Sequence, residues 1–558
     1  MTGKSGWIFL AVVLTCGGFA KSLCAKEMTS QPEKVKVLAF GGIPGTGGQP
    51  SPGELAGNVA AVDKLPIQGF AFNLTHVKGY FASRCMVPEV AYEYEELAKD
   101  IELMKRFEFK SGKKYFTRIN VSAELQTDWF DDVGWDIILN NIKVGARASC
   151  EMGAVGFCLD NEQYGGQPFN YTAQSNRFTK SFDEYQAQVR KRGKQFAESL
   201  VSYMPKAKII FLFGNSHIAG ENWKKSNLDK YTMGLWPAFL DGMMDGALDA
   251  EFIDGHEDYR VRTFEQFCEV RRLIKKDGAI YSSDPARYKK RIKAASSIWL
   301  KRTEGAEYHL DSKDFNNNNY TPEEFEYAIH YAMLNSDGWI WLYAVPWLNL
   351  PEEYMNAVEA ARKPHRLDYD FPNASKIKNL SELPADQRGN SEATAKNRND
   401  CNDTIVFKAV RKVYKEVYDF PKQWKFRFDP ENIGTQKQWY NEYAPQEWVN
   451  IEIGDWYGCQ LNSIYTGYVW YRTTFNAPKE WTGKRLLLAF GAVDEQAWIW
   501  INGKKAGEST AGPSAWNSAF EIDISKYVQA GSENVVVVRV HNSAGPGGIW
   551  KSVKIFTE

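Results

Sequence analysis

Between residues 35 and 345 the chain carries eight short apolar runs. They are VKVLAF (35–40), GFAFNL (69–74), YFTRINV (115–121), GAVGFCLD (153–160), KIIFLF (208–213), GALDAEFID (246–254), IKAASSIWL (292–300) and GWIWLYAV (338–345). The runs are continuous rather than alternating, the pattern of strands buried on both faces. Several are separated by segments with apolar residues at helical spacing, such as EVAYEYEELAKDIELMKRFE and FDEYQAQVRKRGKQFAESLVSYM. Eight such strands alternating with helices predict an α/β fold, a closed (β/α)8 TIM barrel over residues 33–362. A doubly wound open sheet is the alternative, and it usually places a Gly-rich phosphate loop and a helix after its first strand. Here FGGIPGTGGQPSPG follows the first run without a helix at GxGxxG spacing, and it reads as a flexible surface loop.

The barrel does not account for the whole chain. At 558 residues the sequence is too long for one ordinary core. Composition breaks at KPHRLDYDFPNASKIKNLSELPADQRGNSEATAKNRNDCND (363–403), so residues 363–445 are expected to form a linker and an irregular or helical connection. From about 450 the pattern becomes short alternating strands: GYVWYRTTF, RLLLAFGAV, AWIWINGKKAG, AFEIDI, NVVVVRVHNS and IWKSVKIF. Gly, Asn and Pro fill the turns, as in an all-β jelly-roll sandwich over 446–558. An ordered string of residues stands out there: Trp470-Tyr471-Arg472 with Phe475, Gly491-Ala492-Val493-Asp494, then Trp498, Trp500, Asn502-Gly503 and Gly507. Arg539-Val540 and Gly547-Gly548-Ile549-Trp550 complete it. That string resembles the sugar-binding jelly roll of glycoside hydrolase family 2, within the galactose-binding-like superfamily. In that family the module precedes the catalytic barrel, whereas here it follows one.

The N-terminus reads MTGKSGWIFLAVVLTCGGFAKSLCAKE: a lysine, an apolar stretch from Trp7 to Thr15, then small residues. This is the layout of a signal peptide over 1–25, with an apolar run too short to span a bilayer. The expected destination is the periplasm, the cell surface or the medium, with no transmembrane segment. Six cysteines lie beyond that leader with neither a CxxC pattern nor a dense framework, and the seven histidines lack ligand spacing. No metal and no other cofactor are expected. A formal net charge of −1 without charge blocks gives no reason to expect nucleic acid. The 19 tryptophans suit both a large core and the faces of sugar rings.

Chemistry is expected where barrel strands end. The fourth run ends CLDNEQYGG, setting Asp160, Asn161 and Glu162 side by side, with Asp160 and Glu162 projecting to one side of the strand. Strand six ends EFIDGHEDYR, supplying Asp254, His256 and Glu257 on what is expected to be the opposite side of the mouth. Glycosidic bonds are cleaved by two carboxyl groups with different jobs, one protonated to donate to the leaving oxygen and one ionised as nucleophile or base. In the leading mechanism Glu162 is the acid, Glu257 (or else Asp254) the nucleophile or base, and Asp160 tunes Glu162. In a variant Asp160 is the nucleophile and a strand-six carboxyl the acid. Asn161-Glu162 is similar to the Asn-Glu pair ending strand four in the large clan of retaining barrel glycosidases, which implies an acid/base role for Glu162 and a sugar-hydroxyl contact for Asn161. That clan takes its nucleophilic Glu from the end of strand seven, where this chain has IWLKRTEGAEY with Glu304 and Glu307 in the loop. Tyr164, Asn215, His217 and His256 are candidates for sugar hydroxyls, and Trp129 and Trp347, with Trp223 and Trp236, for stacking platforms. Asp254 has an alternative as a helix cap. Thr321-Pro322-Glu323-Glu324 reads as a helix start rather than a site. The expected function is therefore an exported glycoside hydrolase acting on a poly- or oligosaccharide. The alternatives are a carbohydrate-binding protein on a decayed barrel and a structural protein of the cell envelope.

Overall fold

The computed structural model describes residues 31–43, 48–76, 79–121, 127–163, 167–300, 302–304, 307–372, 407–441, 448–460, 465–510, 516–542 and 547–558. All eight apolar runs are strands: β1 (Lys36–Phe40), β2 (Gly69–Phe72), β3 (Lys114–Asn120), β4 (Gly156–Asp160), β5 (Lys208–Phe211), β6 (Glu251–Asp254), β7 in two segments (Ile292–Ala294 and Ser297–Trp299) and β8 (Trp339–Tyr343). Every pairing among them is parallel, and β8 neighbours β1. Strand β7 closes the ring. Its first segment pairs with β6 and its second with β8. Across the break, the Ala295 N–H donates to Asp254 O and the Trp341 N–H to Ser296 O. The sheet is thus the barrel that the count of eight requires.

Each strand is followed by a helix, in order α1 (Val59–Asp63), α2 (Ala98–Arg106), α3 (Asp132–Glu151), α4 (Phe182–Leu200), α5 (Trp236–Gly246), α6 (Phe264–Arg272), α7 (Pro322–Leu334) and α8 (Glu352–Ala360). Local sequence sets their starts. Ser181 and Glu184 form a reciprocal capping box on α4, and Thr321 with Glu324 does the same on α7, with Pro322 at the first helical position. Two apolar layers result. Leu38, Phe40, Ala71, Phe116, Cys158, Ile210, Leu212, Ile253, Ala295, Trp339 and Trp341, drawn from all eight strands, fill the barrel interior. The alternate strand residues pack outward against the helices.

The glycine-rich stretch after β1 departs from the surface loop expected of it. Its described residues Gly41–Ile43 and Gln49–Pro52 are buried, and Ser51 caps a short helix, Pro52–Ala56. Gly42 has φ +79°, and a Cβ there would stand 1.8 Å from Val345 O, so the close approach of this loop to the end of β8 requires glycine.

The second unit is a sandwich of two antiparallel sheets. Strands β9 (Lys415–Asp419), β18 (Val553–Thr557), β13 (Leu486–Phe490) and β16 (Phe520–Asp523) form the smaller sheet in that order. The larger runs β11 (Val449–Glu452), β10 (Gln423–Asp429), β12 (Gly467–Asn476), β17 (Glu533–Asn542), β14 (Gln496–Ile501), β15 (Lys504–Ser509). The sandwich therefore begins at Lys415, inside the stretch expected to be a connection, and not at 446. Asn502 and Gly503, both at positive φ, turn β14 into β15. The buried carboxylate of Asp429 accepts from Trp470 Nε1 at 2.9 Å and from the Ile433 and Gly434 N–H groups, pinning the loop that covers the tryptophans of the larger sheet.

The sandwich docks beside the loop that leaves β4. Gln167 Nε2 donates to Asn517 O at 2.7 Å and Asn170 Nδ2 to Ser518 Oγ at 3.1 Å, while Arg177 pairs with Glu521. No helix among the described residues is long and apolar enough to cross a membrane.

Candidate active site

Parity along β4 decides what reaches the mouth. Cys158 lies in the interior layer, so Asp160 also points inward, one step nearer the C-terminal rim. On β3, Phe116 is interior and Arg118 follows it by two, which brings the guanidinium to Asp160 at 2.5 Å. Asp160 Oδ1 also accepts the N–H of Glu162 at 3.3 Å, turning the chain so that Glu162 leaves the strand end beside it.

Glu257 comes from the turn after β6. Its N–H donates to Leu212 O on the end of β5, and its Oε1 accepts from the Tyr259 hydroxyl at 2.6 Å. The other oxygen, Oε2, is buried with no hydrogen-bond partner among the described atoms. Burial, reinforced by the charges of Glu162 and then Asp160, pushes the Glu257 carboxyl up to about 8, against the partial opposition of the Tyr259 hydrogen bond. Those two repulsions put the strand-four and strand-six carboxyls within electrostatic reach of one another. With Oε1 held by Tyr259, the proton of a neutral Glu257 belongs on Oε2, the atom left without a protein partner. One carboxyl kept protonated beside an ionised neighbour is the division of labour that glycoside hydrolysis uses. Strands β4 and β6 are separated only by β5, so their carboxyls approach along one arc of the rim rather than from opposite sides. Across from β4 lies an aromatic wall: the Tyr259 ring stacks on Tyr343 at 5.6 Å, and Trp299 lies 5.2 Å and 5.5 Å from the two.

The remaining expected residues divide sharply. Asp254 is fully buried. Because Ile253 is interior, Asp254 points outward, where Oδ1 accepts from Ser216 Oγ and from the His256 N–H, each at 3.1 Å. It is removed from any substrate. His256 is also buried, with Nδ1 against Ser216 Oγ at 2.9 Å and its ring stacked on His217 at 4.5 Å. His217 has both ring nitrogens engaged, Nδ1 by the Gly214 N–H at 3.3 Å and Nε2 by Glu257 O at 3.2 Å. Asn215 is buried with its amide on Gly278 O, and Asn161 is buried with both amide ends on the backbone of Phe213. The sugar-hydroxyl roles expected for these four are therefore replaced by protein hydrogen bonds. Tyr164 lies outside the described residues.

Both tryptophan platforms are corrected as well. Trp129 is buried between Trp135, Phe169 and Phe239 with Nε1 on Pro168 O, and Trp347 and Trp236 are buried in the strand–helix layer. Trp129→Ala should then lower stability by about 3–5 kcal/mol, the range for emptying a large core site. A denaturant titration checks this, and a changed KM at unchanged stability would restore the platform role. Trp223 alone keeps partial exposure, against Tyr231 at 4.9 Å. Sequence reasoning passed over Arg118, Tyr259, Trp299 and Tyr343. The signal for the first was an arginine inside an otherwise apolar run.

With the barrel site and the sandwich framework described, comparison with known proteins places the second unit. Residues 460–552 match the family described as glycosyl hydrolases family 2, sugar binding domain. The string from Trp470 to Trp550 thus belongs to the family it resembled, on a chain that combines a (β/α)8 barrel with a family-2-type sandwich. Among curated proteins, a beta-glucuronidase of Paenibacillus borealis is 29% identical over 132 residues, 23% of this chain and 21% of that protein. A beta-galactosidase of Bacteroides ovatus is 28% identical over 148 residues, 25% of this chain and 17% of that protein. The chain therefore spans about a fifth of the length of the curated relatives it matches. Among solved structures, a beta-glucuronidase from Ruminococcus gnavus aligns at 23% identity and a TM-score of 0.24, over 26% of this chain and 29% of that one. The family-2-type sandwich touches the barrel through the loop that starts at Gln163, immediately after Glu162.

Proposed function

We propose that the protein is a glycoside hydrolase acting on a carbohydrate at the mouth of the (β/α)8 barrel, with the C-terminal sandwich as a second domain. The observation that carries this reading is the Glu257–Glu162 neighbourhood. Carboxyls from two strand ends lie within electrostatic reach of each other and of Asp160, and burial together with those charges raises the Glu257 carboxyl to about 8. The raised Glu257 carboxyl, with Oε1 held by Tyr259, favours a reversal of the leading roles read from the sequence. Glu257 donates its proton from Oε2 to the leaving glycosidic oxygen, and Glu162 acts ionised, as nucleophile or as base for water. Asp160, beside them, is held in place by its ion pair with Arg118. Tyr259, Trp299 and Tyr343 supply an aromatic surface suited to the apolar face of a pyranose.

Relatives named as beta-glucuronidase and beta-galactosidase support the substrate class and suggest which glycosides to try first. Export is supported by the leader-like residues 1–25, and by a disulfide at Cys268, which fits an oxidising compartment. The test is sugar release by the full chain from aryl glucuronides, aryl galactosides and a set of polysaccharides. Release by the wild type that is lost in both Glu162→Gln and Glu257→Gln supports the reading. Undiminished release by both variants overturns it.

A further inference from the structure

Behind Glu257 lies a buried polar assembly that the proposed chemistry does not use directly. Asp254 Oδ1 accepts from Ser216 Oγ and from the His256 N–H, and Ser216 Oγ in turn meets His256 Nδ1. Since Ser216 donates its hydroxyl proton to Asp254, His256 presents Nδ1–H to Ser216. His256 itself sits at φ +39°, a left-handed backbone uncommon outside glycine. The His256 ring lies flat on His217, whose Nδ1 accepts the Gly214 N–H. The Nε2–H of His217 therefore points outward and donates to the main-chain oxygen of Glu257. The assembly reaches back to its own start, because a Cβ on Gly214 would stand 1.9 Å from Asp254 Oδ2. That oxygen has no partner among the described atoms.

We infer that Asp254, Ser216, His256, His217 and Gly214 form a cradle that fixes the left-handed turn after β6 and so aims Glu257 at Glu162. The inference rests on the reading of Glu257 as the acid. These five are positioning residues: Asp254, Ser216 and His256 are buried behind the turn, and His217 meets Glu257 at its main-chain oxygen rather than at its carboxyl. They act through the main chain of the turn, which is also tied to Phe211 and Leu212 of β5, to Ala295 and Ser297 of β7, and to Trp341 of β8. The charged and titratable groups around the Glu257 carboxyl are Glu162 and Asp160 from β4, Arg118 from β3 through Asp160, and Tyr259 from its own strand end. Asp258 in the same turn is paired with Arg260, and His217 is the group from β5.

The cradle is tested by the titration of the Glu257 carboxyl, followed by carbon NMR on glutamate-labelled full-length protein and assigned with Glu257→Gln. Alongside it run the pH profile and the KM-against-kcat split. Gly214→Ala drives a methyl group into the space of Asp254, and Asp254→Ala removes the hub. Each is expected to lower kcat by about 10- to 100-fold, the effect of misplacing a reacting group by an ångström, with KM nearly unchanged. Each should also move the Glu257 titration and the alkaline limb of the pH profile downward, as the loosened carboxyl gains solvent. Asp254→Asn retains Oδ1 as an acceptor and should recover most of the loss. If Gly214→Ala does not fold, Ser216→Ala, which deletes one link, should shift the titration in the same direction by less. An unmoved titration in folded Gly214→Ala or Ser216→Ala protein overturns the cradle, whatever the activity. Full activity in Glu257→Gln overturns the catalytic reading, and the titration still decides the cradle.

Discussion

Glu257→Gln is expected to lower turnover of a glycoside with a poor leaving group by about 10²–10⁴-fold, the contribution of a positioned general acid. It should cost far less on an aryl glycoside whose phenol departs without help. The asymmetry follows from the site. Glu257 is the carboxyl pushed up to about 8, by burial first and by Glu162 second, and Oε2 is its oxygen without a partner among the described atoms. A proton held there is present below about pH 8 and lost above it, so wild-type kcat/KM should fall on an alkaline limb near that value. Glu162→Gln should slow both kinds of substrate alike, because a nucleophile or base is needed whatever departs. Rates across a series of aryl leaving groups at several pH values separate the two roles. A steep leaving-group dependence appearing in Glu162→Gln, and absent in Glu257→Gln, would return the roles to those first read from the sequence.

The proposed reversal turns on features that a sequence does not display. The barrel was legible because eight continuous apolar runs leave few other sheets to build, and each run became a strand. The same continuity hides which residues face inward. Both faces of a parallel barrel strand are apolar, so nothing in CLDN or FIDG says that Asp160 enters the mouth while Asp254 turns toward the helices. The parity is fixed by the interior neighbours Cys158 and Ile253, and it appears only once the barrel is closed. Glu162 and Glu257 could be proposed from the sequence because residues just past a strand end are exposed to the mouth in most registers. Which of them carries the proton depends on desolvation and on Tyr259, neither visible in the sequence. Tryptophans in loops misled for a related reason: long βα loops fold back over the helical layer, and Trp129 and Trp347 are buried beneath them. The early start of the sandwich was missed because Lys415–Asp429 follows a polar stretch, and KEVYD and QWKFRFD alternate too briefly to stand out from it.

A carboxyl raised by burial has a consequence for stability, and its sign is fixed. Glu257 and Asp254 are raised by burial to about 8 and about 7, from ordinary values of 4.5 and 3.8. Between about pH 4.5 and 7 the folded chain therefore holds more protons at these two sites than the unfolded chain does. Stability contributed there falls as pH rises through that window, and the loss is complete only above the folded values. For each group the cost at pH 8 is on the order of 4 kcal/mol, from 1.36 kcal/mol for each unit of pKa displacement. Glu257→Gln, which has no charge to desolvate, should thus be more stable than wild type by about 2 kcal/mol or more at pH 8, and nearly equal to it at pH 4.5. Asp254→Asn should behave likewise with its midpoint about one unit lower. Urea unfolding of wild type and both variants at pH 4.5, 6 and 8 measures this, and parallel stability–pH curves would show that neither carboxyl is held neutral by the fold. A stabilised, inactive Glu257→Gln protein would show one group serving activity at the expense of stability, as expected when a buried acid is kept for its proton.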